Sequence, residues 1–452
     1  MSNPTSNPTL LHRLDRINPV SIDGRVSRAV GLTIEGTGPV SSIGQSCRIV
    51  TNDDEAGVEA EVIGFRDDRV LVMPLGDVRG IGPGSRLIYE DRTPTVGVST
   101  ALLGRILDGM GRPIDDKGPV SSLEAYPLYS PSLNPLDRNR ISQPLDLGVR
   151  AINALLTCGQ GQKLGIFSGS GVGKSVLLGM ICRHTAADVT VLGLIGERGR
   201  EVKEFIEKEI GEEGLRRTIV VAATSDQPPL VRLRGAFIAT AIAEYFRDQG
   251  KDVLLLMDSL TRVAHAQREV GLAAGEPPTS KGYPPSVFAV LPKILERVGP
   301  IARGSLTGLY TVLVEGDDLS DPVADFIRAI LDGHIVLSRE LASRGHFPAI
   351  DILQSISRVM PDIADSTHIA AARMILDLLA TYKNAEDLIN LGAYRSGTNP
   401  RLDIAVAMME NLRPFLQQEV VDRADLASSL QWLHQLITGA QEMGKKFTDG
   451  RQ

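Results

Sequence analysis

The run Leu164-Gly165-Ile166-Phe167-Ser168-Gly169-Ser170-Gly171-Val172-Gly173-Lys174-Ser175 sets an apolar strand, a glycine-rich turn and the helical pattern Val176 to Arg183 in direct succession. That order is the context a phosphate-binding loop requires. Glycines let backbone N–H groups wrap an anion, and the helix start adds the positive end of its dipole. Lys174 then has the reach for β and γ phosphate oxygens, and the Ser175 hydroxyl is placed for Mg²⁺. In GxxxxGK[ST] the first glycine would fall at Ser168, so the pattern is met from Gly173 onward. Ser168 through Val176 therefore form the candidate nucleotide contacts.

Phosphoryl chemistry needs three further groups. Asp258 ends the apolar run Val253 to Met257, and a carboxylate at a strand's carboxyl edge can hold the hydration shell of Mg²⁺. Its competing role is to cap a helix beginning near Ser259. Glu197 follows the apolar run Val191 to Ile195 and is the candidate to orient or deprotonate water; the alternative is a surface ion pair with Arg198 or Arg200. Arg358, in Ser355-Ile356-Ser357-Arg358, is a candidate arginine finger for transition-state charge, although most arginines are simply solvated.

The elements that must position these groups follow from hydrophobic periodicity. From Gly97 to Asp365, strand-like runs (163–167, 190–195, 218–222, 253–257, 309–314) alternate with helical ones, which predicts an α/β domain with a mainly parallel sheet. Before it, short β runs at Val30-Leu32-Ile34, Val62 to Phe65, Val70 to Met73 and Arg86 to Tyr89 predict a small β-barrel. After Ile369 the runs 371–380, 402–409 and 426–437 predict a helical bundle in which Trp432 packs. The expected organisation is a polar arm and amphipathic helix (1–22, with Leu10, Leu11, Leu14 and Ile17 on one side), a barrel (23–95), a P-loop RecA-like domain (96–368) and a helical domain (369–452).

Composition narrows the function classes. At about 150 residues per domain, 452 residues predict about three domains. The charge, 48 basic minus 55 acidic or −7, argues against a protein whose main affinity is for a polyanion, and Phe65 and Tyr89 are too few aromatics for a stacking platform. No specific nucleic-acid partner is expected. No stretch approaches the ~20 apolar residues of a membrane span, and residues 1–9 lack the pattern of a secretory signal, so a cytoplasmic protein is expected. Cys47, Cys158 and Cys182 lack metal or disulfide spacing and read as core residues.

At these same residues the chain resembles the catalytic subunits of rotary ATP synthases and, more closely, the type III secretion export ATPases. The resemblance rests on Gly173-Lys174-Ser175, Gly196-Glu197-Arg198, Asp258 and Ser357-Arg358, and in the export branch on Asp258-Ser259-Leu260-Thr261-Arg262, Gly275-Glu276-Pro277-Pro278, Lys281 to Phe288 and Ile330 to Arg339. Ser168 departs from the general motif but not from that branch. Leu391-Gly392-Ala393-Tyr394 with Asn399 to Asp403 resembles the flagellar type.

The resemblance implies ATP and Mg²⁺ as cofactors and a homohexameric ring in which Arg358 acts on a neighbour. It implies Glu197 as the catalytic carboxylate, Arg198 among the nucleotide contacts and Phe347 as the ring stacked on adenine; a core aromatic is the alternative for Phe347. It further implies a stator-like regulatory protein at the N-terminus, a central stalk protein, an export gate, export substrates with their chaperones, and peripheral attachment at the inner membrane. The acidic lever of the synthase subunit is missing, with Ala393 to Pro400 in its place. A virulence-type export ATPase, an RNA-translocating hexamer, a non-hydrolytic nucleotide-binding subunit and a rotary synthase subunit are the alternatives.

Overall fold

The computed structural model describes residues 23–38, 41–51, 56–90, 94–121, 123–314, 316, 318 and 320–449; the amphipathic helix expected at 10–17 lies outside them. The chain divides into two compact units, one holding residues up to Pro94 with Val270–Glu276, the other Thr95–Glu269 with Pro277 onward.

In the first unit six strands close into an antiparallel barrel: β1 (Asp23–Val30), β2 (Thr33–Thr37), β3 (Ser46–Val50), β4 (Val58–Arg66), β5 (Arg69–Pro74) and β6 (Arg86–Tyr89), ordered β1-β2-β5-β4-β3-β6 with β6 returning to β1. Alternate side chains fill the interior, among them Val26, Ile34, Ile49, Val62, Val72 and Leu87. The run Val30-Leu32-Ile34, expected as one strand, is instead a hairpin. Gly31 turns at φ +57°, and Val30 and Leu32 stay exposed on either side of it. Period-two alternation continues across so tight a turn, so only the glycine marks it.

The second unit is built on a twisted sheet. Its strands are β7 (Ile106–Asp108), β8 (Lys163–Ser168), β9 (Val189–Ile195), β10 (Thr218–Ala223), β11 (Asp252–Asp258), β12 (Ser305–Leu313), β13 (Gly333–Leu337) and β14 (Ile350–Ser357). They lie in the order β14-β13-β8-β12-β11-β9-β10-β7, with the short strand Gly299–Pro300 added to β12. All pairs along this path are parallel except β13 with β14. The central strands are buried along nearly their whole length, which is why they read as unbroken apolar runs rather than alternation.

Helices cover the sheet. α1 (Arg150–Leu155), α2 (Lys174–His184), α3 (Gly199–Glu204), α4 (Pro229–Asp248) and α5 (Leu260–Ala274) are joined by α6 (Ser366–Asn390), α7 (Pro400–Leu416) and α8 (Leu426–Asp449), which pack on one another and on α1. Trp432 packs edge-on to Phe415, and the Arg150 guanidinium lies 4.2 Å over its ring. Fully buried Arg297 is held by Glu244, with Nε to Oε1 at 2.8 Å, and donates to Leu128 O at 2.8 Å. That satisfies a charge which would otherwise be prohibitive in the core. The three cysteines are free and buried, and burial pushes each thiol up to about 12. They are thiols, not reactive thiolates, at neutral pH.

Candidate functional site

Because β8, β9 and β11 run parallel, their carboxyl ends open on one edge, where α/β sheets place their ligands. β8 ends at Ser168 and α2 begins at Lys174. Between them Gly171 and Gly173 take φ +77° and +86°, a left-handed backbone that side chains disfavour and that turns successive N–H groups inward. At Gly173 a β-carbon would also stand 3.4 Å from the Phe347 ring.

Register brings the acidic groups to this loop. Asp258 is level with Leu194 across β11 and β9, so Glu197, three residues past Leu194, rounds the same edge. Lys174 Nζ lies 2.5 Å from Asp258 Oδ1 and 3.7 Å from Glu197 Oε1. Thr311 Oγ1 on β12 donates to the same Asp258 oxygen at 2.6 Å. Asp258 is thus a site group facing the P-loop lysine. Arg198 pairs with Glu201 and Arg200 with Glu204, so neither takes Glu197 into a surface ion pair.

The residues suit a nucleotide with its metal. Ser168 Oγ, Glu197 Oε1 and Arg262 Nε are buried without a hydrogen-bond partner among the described residues, an arrangement that calls for a bound partner. A cavity of about 240 Å³ opens beside the loop, lined by Ser175, Glu197, Asp258, Leu194, Glu201 and Phe205. No three His, Cys, Asp or Glu side chains converge on a metal cage among the described residues. Mg²⁺ needs none, since it keeps several waters and takes one or two protein ligands plus phosphate oxygens.

Burial and the neighbouring Asp258 carboxylate push the Glu197 carboxyl from 4.5 up to about 7, against the opposing pull of Lys174. Only the ionised form can accept a proton from water. The kcat/KM of hydrolysis, which reports the free enzyme, should therefore fall as the pH drops through about 7. An acid limb lying instead near the ordinary carboxyl value would assign the titration to another group.

The other expected residues are distributed unevenly. Phe347 lies in the segment between β13 and β14, is 46% exposed and stands over Gly173. Val176 is half-buried against the core beneath the loop. The Arg198 side chain is 81% exposed and turned to Glu201, and it does not line the cavity. Arg358 follows β14, whose Ser357 is level with Gly333, while β13 reaches the P-loop level at Leu337, paired with Ser168. Arg358, one residue further with its N–H on Asp332 O, is exposed and, at about 3.3 Å per residue, sits about 16 Å down the sheet from its own P-loop.

Two contributors leave little trace in the sequence. Arg262, in the first turn of α5, packs where a Gly196 β-carbon would be, and its charge lowers the Glu197 pKa. Its position four residues after Asp258 is the one available signal. Thr311 is one of several buried polar residues of β12, with Ser305 and Thr307, and its hydroxyl orients Asp258.

Comparison with known proteins follows this architecture. A model of the ATP synthase alpha/beta family, nucleotide-binding domain, matches residues 148–357, that family's beta-barrel domain matches 26–88, and the T3SS EscN ATPase C-terminal domain matches 364–435. A flagellum-specific ATP synthase of Pseudomonas aeruginosa is 52% identical over 427 residues, 93% of this chain and 94% of that protein. A type 3 secretion system ATPase of Sinorhizobium fredii is 50% identical over 423 residues, 94% of each. The structure of the assembled ATPase EscN in complex with its central stalk EscO, from the enteropathogenic E. coli type III secretion system, matches with a TM-score of 0.85 at 47% identity, covering 92% of this chain and 100% of that one.

Proposed function

The chain belongs to the family of flagellum-specific ATP synthases and type 3 secretion system ATPases, and from that premise we propose how its residues hydrolyse MgATP and what the hydrolysis serves. The observation that carries the mechanism is the meeting of Lys174, Glu197 and Asp258 at the mouth of a glycine loop. On nucleotide binding Lys174 exchanges Asp258 for the β and γ oxygens. The Ser175 hydroxyl and Asp258, fixed by Thr311, would hold Mg²⁺, which when bound would supply neutralisation of the phosphate charge. Glu197 orients the attacking water and takes its proton. Phe347 stacks on the base.

Arg358 completes the site of a neighbouring copy. Its place down the sheet from its own loop supports that geometry, and a heterologous contact of this kind closes into a ring, here of six copies. The ring drives or assists export of flagellar proteins. The flagellar reading rests on the resemblance of Leu391-Gly392-Ala393-Tyr394 and Asn399 to Asp403 to that type; in this turn Tyr394 Oη and Gly397 N donate to Asp403, and Asn399 caps α7. No helix among the described residues is long and apolar enough to cross a membrane, and we assign attachment at the inner membrane to protein partners. These are a stator-like protein at the N-terminal arm, and a stalk, an export gate and chaperoned substrates at the helical layer.

Mixing two inactive variants tests the scheme. Arg358→Ala and Lys174→Ala proteins should each assemble without efficient hydrolysis, and mixed assemblies should recover part of the ATPase rate because some interfaces pair an intact Lys174 with an intact Arg358. Assembled mixtures with no recovered rate would place the finger's action within one chain. Added RNA should leave the wild-type rate unchanged.

A further inference from the structure

Gln418, just past α7, is 7% exposed, and its carboxamide is fully engaged. Oε1 accepts from Arg150 N at 2.8 Å, and the two Nε2 hydrogens go to Gly148 O and Asp422 O, both at 2.9 Å. Its backbone N–H donates to Phe347 O at 3.0 Å. One residue of the helical layer thus grips the segment entering α1, closes its own turn and fastens the backbone of the aromatic standing over Gly173.

We infer that Gln418 is a positioning residue for base recognition, tying the placement of the Phe347 ring over the phosphate loop to the seating of the helical layer. The inference rests on the reading of Phe347 as the base-stacking ring. The Phe347 side chain is half-exposed, so its placement depends on its backbone, and that backbone is anchored at its carbonyl by Gln418. The carboxamide pins the 418–422 turn beside the Arg150 guanidinium on Gln417 O and the Arg183 guanidinium on Val420 O, and it is the tie made by the anchoring residue itself, so a Gln418 released from Gly148 O and Arg150 N no longer presents its N–H at a fixed point. Nucleotide affinity thereby becomes sensitive to anything that shifts α7 relative to α1, while the phosphate contacts of the loop are left alone.

The test separates base from phosphate. Steady-state KM and kcat for ATP are measured with the Ki of inorganic tripolyphosphate, which has phosphates but no base, in full-length wild type, Gln418→Ala, Gln418→Glu, Phe347→Ala and the double variant Gln418→Ala/Phe347→Ala. Both Gln418 variants should raise the KM for ATP by about tenfold, the scale of forfeiting one hydrogen bond, with kcat and the tripolyphosphate Ki held within about twofold. The double variant should be no worse than Phe347→Ala, since both act through one ring. Gln418→Glu keeps the Oε1 acceptor and side-chain size and carries the test if melting shows Gln418→Ala unfolded. An unchanged KM in the Gln418 variants beside a raised one in Phe347→Ala overturns the inference and leaves the stacking reading standing. A parallel loss of ATP and tripolyphosphate binding in Gln418→Glu also overturns it. An unchanged KM in Phe347→Ala overturns the stacking reading itself, and the inference with it.

Discussion

Glu197→Gln should bind MgATP at near wild-type affinity and turn it over about 10³-fold more slowly, a loss of about 4 kcal/mol of transition-state stabilisation. The amide has the shape of the carboxylate but cannot take a proton from water. Its neutrality should also favour the nucleotide-free protein, because the native carboxylate is held against burial and against Asp258. The combination is diagnostic: turnover lost, affinity kept and thermal stability equal to or above wild type. A variant that retained turnover would remove Glu197 from the chemistry. One that lost affinity in parallel would give it a binding role instead.

Lys174→Ala should lose nucleotide affinity by about a hundredfold or more and should also be destabilised without nucleotide. The Lys174 ammonium lies between two carboxylates whose side chains are only 5% and 15% exposed. Removing it leaves like charges facing each other in a poorly hydrated place, a change that costs about 3 kcal/mol when a buried pair is broken. Glu197 offers relief by protonation, since its carboxyl already lies well above the ordinary value and is deprived of its strongest cationic support. A group whose folded-state pKa is raised binds more protons folded than unfolded, so its contribution to stability falls as pH rises through that pKa. The deficit in melting temperature should therefore be larger at pH 9 than at pH 6. A deficit independent of pH would trace the destabilisation to packing rather than charge.

How much of this was legible in the sequence depended on the range of the interaction. The P-loop announces itself because strand, glycines, lysine and helix are contiguous, and the sheet because buried parallel strands are unbroken apolar runs. Asp258 and Glu197 were readable as strand-end carboxylates, since parallel strands deliver their ends to one edge whatever their order. The order itself, with β12 between β8 and β11, leaves no periodic trace, so Thr311 could not be matched to Asp258. Gln418 is similarly silent: a polar residue after a helix reads as solvated, and its partners Gly148 and Arg150 lie about 270 positions away. Arg198 shows the converse limit, where a position beside a functional residue faces the other way because the chain turns into α3 there.

The closed barrel and the open sheet differ in what they leave for other molecules to hold. A six-membered cylinder has no first or last strand, so its main-chain donors and acceptors are consumed internally and nothing can join it by strand addition. Whatever grips that unit must do so through side chains, and its surface can be rewritten by substitution without disturbing the hydrogen-bonded wall beneath. The large sheet instead terminates at β14 and β7, and beside Arg358 the margin formed by β14 shows Leu353 and Ile356 to solvent. Evolutionary retuning of contacts is thus cheap on the cylinder and constrained at that margin, where a change in adhesion is also a change in how Arg358 is presented.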